Sequence, residues 1–207
     1  DVLLPGALAR RKSALEADPA AIAAVSNGLQ RSARGDVLHL ESFDAVRLDP
    51  LRAMLEHNWL LPGSWLGRTS ALPEHVFSDM PRYLECTYLG LRLALTGRIV
   101  FIDEPSVAWS TDTPGSLSKS AGYALEQPAA LERLLRLPLP DEVLAKIKVK
   151  LASSRHVAAR LHLREGRRHE AWRSHWACLR TTGGWQYVPF TLRLLVGWRM
   201  PDRRATS

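Results

Sequence analysis

Between Tyr83 and Gly97 the apolar residues fall almost all round a helix. Leu84, Tyr88, Leu91 and Leu95 form one stripe, and Leu89 and Leu93 a second. A helix apolar on every side belongs in a core, and Gly97 supplies its stop. Two polar residues interrupt it, Glu85 and Arg92. They stand two turns apart on one face, so both can point at the same cleft. Ile99 to Ile102 is a short apolar run that predicts a buried strand directly after the helix.

The segments before this helix are short and punctuated. Pro5 to Ala17 predicts a helix with Pro at an opening position and Leu8, Lys12 and Leu15 at turn spacing. Asp18-Pro19 ends it. Ile22 to Ser26 predicts a strand, Asn27-Gly28 a turn, and Val37 to Leu40 a weaker strand. Leu48 to His57 predicts a helix, with Asp49 as N-cap and Pro50 at the first helical position. Pro73 to Pro81 has no periodicity and carries His75 and Asp79, as an exposed loop does. After Ser118 the chain changes character. Tyr123 to Leu135, Glu142 to Arg164 and Arg168 to Leu179 are long Ala/Leu/Arg helices, broken at Pro138, Pro140 and Gly166. Ala159, Leu163, Gly166, Ala171, Trp172 and Ala177 resemble one tetratricopeptide-like helical hairpin, a pattern that needs at least three repeats to stand alone. Tyr187 to Met200 is apolar, aromatic and arginine-bearing. It is too short to span a bilayer and suited either to packing on its own protein or to a membrane surface.

Composition narrows the classes. A chain of 207 residues with 46% hydrophobic and 24% charged content folds into one or two ordinary domains. The net charge of +7 is spread along the whole chain. No basic run is interleaved with aromatics, so nucleic acid is not an expected partner. Cys86 and Cys178 lack metal-ligand spacing and suit a reducing compartment. His156, His162, His169 and His175 recur every six or seven residues, not at the spacing by which one helix offers two metal ligands, so zinc is not expected. No run reaches membrane-spanning length. A cytoplasmic location, peripheral to a membrane at most, is the expectation.

The succession from Tyr83 onward carries a resemblance. Glu85, Leu89, Leu91, Arg92, Leu93, Ala94, Gly97, Glu104, Pro105, Ser116 and Ser118 match the second half of the inverting family 2 glycosyltransferases of the GT-A fold. In that family an acidic pair opens a Leu-x-Leu-Arg-Leu-Ala helix. A Gly, a strand, an Asp/Glu-Pro turn and a Tyr-Arg-x-His…Ser-x-Ser segment follow. Cys86 stands where the family has Asp, Ser110 where it has Arg, and Asp112 where it has His. Asn58 to Leu72 resembles the family's central strand and turn, with Asn58, the small residues Gly63 and Ser64, and Arg68. Asp1-Val-Leu-Leu-Pro resembles the wording that follows the family's metal-binding Asp-x-Asp. The resemblance thus implies an α/β fold. Residues 1–120 would form the C-terminal part of a Rossmann-like GT-A nucleotide-diphospho-sugar transferase domain, and residues 121–207 a helical region.

An inverting transfer needs the nucleotide leaving group neutralised, the acceptor hydroxyl deprotonated by a carboxylate, and the sugar held in line between them. The resemblance gives Glu85 as the base, with its pKa raised by burial; its plain alternative is a charge that suits a helix N-terminus. Cys86 is a poor substitute, since a neutral thiol is a weak general base. Arg68 offers a diphosphate a planar bidentate donor, or else makes a structural ion pair at a strand exit. Asp112 is placed with the diphosphate, and Trp65 and Asp79 with the acceptor. Asp1 is the flank of a metal-binding acidic motif only. The partners implied are a nucleotide-sugar donor and a glycan, lipid or protein acceptor. A divalent metal, Mg2+ or Mn2+, is expected in the whole enzyme and none in this segment, which alone is expected to be inactive. The alternative is a non-catalytic helical interaction module on a degenerate transferase scaffold.

Overall fold

A computed structural model describes residues 1–74, 76, 77, 79–110, 113, 115 and 120–196. The chain divides into two compact units. The first is Asp1–Gly115 with Leu137–Leu139; the second is Ser116–Arg136 with Pro140–Ser207.

The first unit is α/β. Its elements are β1 (Val2–Leu3), α1 (Ala7–Ala17), β2 (Ala21–Ser32), β3 (Gly35–Leu38), α2 (Asp44–Leu48), α3 (Pro50–His57), β4 (Trp65–Gly67), α4 (Glu85–Thr96) and β5 (Arg98–Ser110). The strands form one open sheet in the order β1-β5-β2-β3, with β4 also paired to β2. β2 and β5 run parallel at its centre, while β1, β3 and β4 are antiparallel to their partners.

The two faces of the sheet follow from strand alternation. Ala24, Val100 and Ile102 meet Leu15 of α1. Phe101 points the other way, its ring 5.2 Å from both Phe43 and Trp59. The indole of Trp59 donates to the Pro50 carbonyl at 2.8 Å, which satisfies its one buried donor. Asp49 caps α3 as its sequence predicts, accepting from the Arg52 N–H at 2.9 Å.

Asn27-Gly28 is not a turn: both residues lie inside β2. The buried Asn27 side chain imitates a missing strand, donating to the Leu40 carbonyl at 2.7 Å and accepting from the Leu40 N–H at 3.3 Å. Gly28 is required by close approach, since a Cβ there would sit 2.7 Å from the Trp109 ring and 2.9 Å from Leu61. The reversal comes later, at Ala33-Arg34, and is held by the Arg31–Asp36 ion pair of 3.1 Å.

Glu104-Pro105 does not turn the chain either; β5 runs through it. The register moves from Ser26↔Ile102 to Asn27↔Pro105, so Asp103 and Glu104 bulge out where Pro lacks an N–H to give. Gly97 does end α4, but with φ 175, an extended conformation rather than a left-handed one. There a Cβ would lie 3.0 Å from Ile22, so the glycine serves close packing.

The second unit is helical, and among the described residues no strand follows Ser110. It contains α5 (Ala121–Leu134), α6 (Asp141–Arg164), α7 (Arg168–Leu179), a 3-10 turn (Gly184–Tyr187) and α8 (Phe190–Val196). Ala159, Leu163 and Ala171 pack with Phe190 and Leu194, and Trp172 lies against them. Most residues of the sequence's helical-hairpin pattern thus form the core, which α8 closes. No helix among the described residues is long and apolar enough to cross a membrane.

Histidines furnish part of this interior. His156 stacks on Tyr187 with ring centroids 4.2 Å apart and meets Phe190 edge-on. His175 is fully buried, its Nε2 2.8 Å from the Thr191 hydroxyl. Burial, with the positive charges of Arg160, His175 and Arg193 added, pushes His156 down from 6.5 to about 4. Burial lowers His175 as well.

A histidine held neutral in the fold binds its proton more readily in the unfolded chain. Stability is therefore complete above pH ~6.5 and falls as the pH drops towards ~4. The helical unit is expected to lose denaturation midpoint over that window. His156→Gln should flatten the loss, as circular dichroism melts at stepped pH would report. An unchanged slope would remove His156 from this account.

Candidate functional site

In open sheets with parallel strands, ligands bind outside the carboxyl ends of those strands. At that end of β2 and β5 a series of contacts gathers several segments. β1 lies on β5 with Val2 opposite Ala108, and one further step of the register sets Asp1 against Trp109. The Trp109 ring meets His39 edge-on at 5.2 Å. His39 Nε2 donates to the Asn58 carbonyl at 3.2 Å, which requires the proton on that nitrogen. The Asn58 side-chain oxygen accepts from the Thr87 hydroxyl at 3.2 Å. Thr87 is in the first turn of α4, which Glu85 opens. The turn at Gly63 lies over the same strands; a Cβ there would come 3.8 Å from both Leu3 and Val107.

Two backbone outliers flank this surface. Asn58 (φ 42) and Leu84 (φ 62) are the non-glycine residues with positive φ among those described. Asparagine tolerates that conformation, but leucine adopts it at a cost of about 1–2 kcal/mol. Such strain persists where the surroundings impose it, and it clusters at functional sites. Leu84 offers α4 no side-chain cap. The Glu85 carboxylate instead faces the positive end of the helix.

Glu85 is exposed, not buried as the apolar pattern implied. Burial begins one turn later, at Tyr88, because the first turn of α4 faces outward. Cys86 beside Glu85 is half-buried, and burial together with the charge of Glu85 pushes its thiol up to about 11. It stays protonated at neutral pH. Arg92 reaches one turn back along α4. It donates to the Tyr88 hydroxyl at 2.8 Å, and its guanidinium lies 5.6 Å from the same ring.

Arg68 is placed elsewhere. β4 is antiparallel to β2, so Arg68 falls at the amino end of β2, opposite the mouth of α4. Its Nε donates to the Ala21 carbonyl at 2.9 Å and its Nη2 to the Leu15 carbonyl. The guanidinium thus ties the end of α1 to the start of β2, a backbone clamp in place of either role expected from the sequence. Trp65 sits half-buried in β4 opposite Val25, its carbonyl accepting from Arg11 at 2.9 Å. Asp79 is exposed on its loop. His75 and Asp112 lie outside the described residues. Among the described residues no three His, Cys, Asp or Glu side chains come together to hold a metal.

A cleft of about 650 Å³ does open in this unit, lined by Asp18, Arg47, Arg98 and Phe101 among others. It lies where β2 and β5 begin, the end at which such sheets do not bind ligands. Its cations are also engaged. Arg98 is 2.6 Å from Asp18, and Arg47 is 2.6 Å from Asp103 and 2.9 Å from Asp44. Burial works against the Asp103 charge, but bonds from Arg47 and the Phe43 N–H hold its carboxyl below the usual range. This cleft is the outer side of a structural clamp.

Comparison with protein-family models, with curated proteins and with solved structures gives no match. His39, Thr87 and Trp109 gained no functional signal from sequence. They come from three segments, His39 meeting Trp109 directly and Thr87 linked to His39 only through Asn58, and each is an ordinary residue in its own stretch.

Proposed function

We propose that this chain is the acceptor half of an inverting glycosyltransferase that uses a nucleotide-sugar donor, with Glu85 as the general base. The observation that carries the proposal is the opening of α4. A strained Leu84 precedes an exposed carboxylate in the first turn of α4, the turn whose Thr87 donates to Asn58, whose carbonyl in turn accepts from His39. α4 leads into β5 with only Gly97 between them, which sets its first turn at that end. An open α/β sheet with a parallel central pair supports the reading as half of a GT-A domain, and the residue resemblance from Glu85 to Pro105 supports the family. In this account Glu85 takes the proton of an acceptor hydroxyl as it attacks. Trp65 and Asp79 belong with the acceptor and Asp112 with the diphosphate. A divalent metal would neutralise the departing nucleotide, with Asp1 flanking its ligands.

The second reading, a non-catalytic interaction module, draws support from Cys86 and Arg68. A protonated thiol stands where the family has an acid, and the guanidinium is spent on backbone carbonyls. The deciding experiment measures nucleotide release from a panel of nucleotide sugars with Mn2+, by the protein as the cell makes it and by its Glu85→Gln variant. Release that depends on Glu85 supports the transferase; no release from any donor supports the module.

A further inference from the structure

Among the described residues none covers the outer face of α8. α8 buries Phe190 and Leu194, and the opposite side presents Leu192, Leu195 and Val196 at 68, 66 and 73% exposure. Beside it, Trp172 packs against the core that Phe190 and Leu194 share with α6 and α7, and stacks on Trp176, itself 53% exposed. Trp176 stands between Arg173 and Arg180 in a shallow depression on α7. From Arg168 to Val196 the chain carries Arg168, Arg173, Arg180 and Arg193 against one acid, Glu170. The sequence beyond adds Trp198, Arg199, Arg203 and Arg204 against Asp202.

We propose that this α7–α8 face is a docking surface for the anionic headgroups of a lipid bilayer. Charge complementarity selects that occupant. A water-exposed stripe of Leu, Val and Trp edged by arginines, with almost no carboxylate, is the pattern of an interfacial helix. The apolar stripe enters the boundary between headgroups and acyl chains, tryptophan prefers that level, and the arginines meet lipid phosphates. The surface belongs to the helical unit alone and does not depend on glycosyl transfer.

The test is sedimentation of the full chain with phosphatidylcholine vesicles, either pure or containing about a quarter phosphatidylglycerol. Binding is expected to the anionic vesicles, at least about tenfold weaker to the neutral ones. Leu192→Gln with Leu195→Gln should weaken it by about tenfold or more, and Arg173→Gln with Arg180→Gln by about thirtyfold on anionic vesicles. All four positions are exposed, so circular dichroism and the denaturation midpoint should stay as in the parent chain. Failure to bind anionic vesicles, or equal binding by the leucine variant, would overturn the proposal. So would a concentration-dependent dimer that disappears in the leucine variant while no vesicle is bound, which would make a second copy the occupant.

Discussion

Glu85→Gln is expected to lower kcat by about 10²–10⁴-fold while leaving the donor KM nearly unchanged, which is what loss of a general base costs. Glutamine keeps the shape and hydrogen-bonding reach of the side chain and removes its basicity. The fold should not suffer, because Glu85 is exposed and its neighbours are held by the Asn58–Thr87 bond and by the body of α4. The companion variant is Cys86→Asp. That position is only half-buried, so an acid there can be solvated on one side, and the same desolvation that lifts the thiol to about 11 would raise its carboxyl. Cys86→Asp should therefore partly restore the activity of Glu85→Gln. Initial rates of nucleotide release across donor concentrations check both. A normal kcat in Glu85→Gln would leave this residue a helix-end charge, and Asp79 would be the next candidate base.

Gly184→Ala is expected to destabilise the helical unit by about 3 kcal/mol or more, by the cost of forcing atoms into a packed interior. α7 ends at Leu179 and the chain folds back beneath its last turn. The Thr181 N–H donates to the Cys178 carbonyl at 2.9 Å, and the Gly184 N–H to the Thr181 carbonyl at 2.8 Å. In that fold-back a Cβ on Gly184 would lie 2.0 Å from the Cys178 carbonyl oxygen and 3.0 Å from the Leu179 Cα. Those are backbone atoms, so no side chain can swing away, and the 3-10 turn and α8 would have to shift. Gly166→Ala is the control. Its φ is +77, but nothing lies within 4 Å, so only the left-handed backbone is penalised, at about 1–2 kcal/mol. Urea denaturation of the two variants should rank them in that order; equal midpoints would show that the fold-back tolerates a side chain.

The sequence disclosed whatever depends on local chemistry. Asp49 and Pro50 announced α3 because a cap acts on its own first turn, and the long helices after Ser118 followed from unbroken period. Features set by distant partners stayed hidden. Asn27-Gly28 has the composition of a turn, yet Leu40, Leu61 and Trp109 make it the middle of a strand. Glu104-Pro105 likewise became a bulge because β2 offers a register that accommodates the missing N–H. Arg68 read equally well as a ligand donor or an ion pair, and the choice fell to two carbonyls, those of Leu15 and Ala21. The candidate site was half legible. Glu85 stands out as a polar interruption of an apolar helix, but its exposure, and the linkage of Trp109, His39, Asn58 and Thr87, exist only once the chain has folded.

The most direct test of the proposed chemistry follows the anomeric centre. Proton NMR of the first sugar product released from an α-linked nucleotide sugar, by the protein as the cell makes it with Mn2+ present, reports which face was attacked. A single displacement by an acceptor that a carboxylate deprotonates gives the β anomer first. An α product, or a donor that is bound but left unchanged whatever acceptor is offered, would contradict the assignment of an inverting transferase.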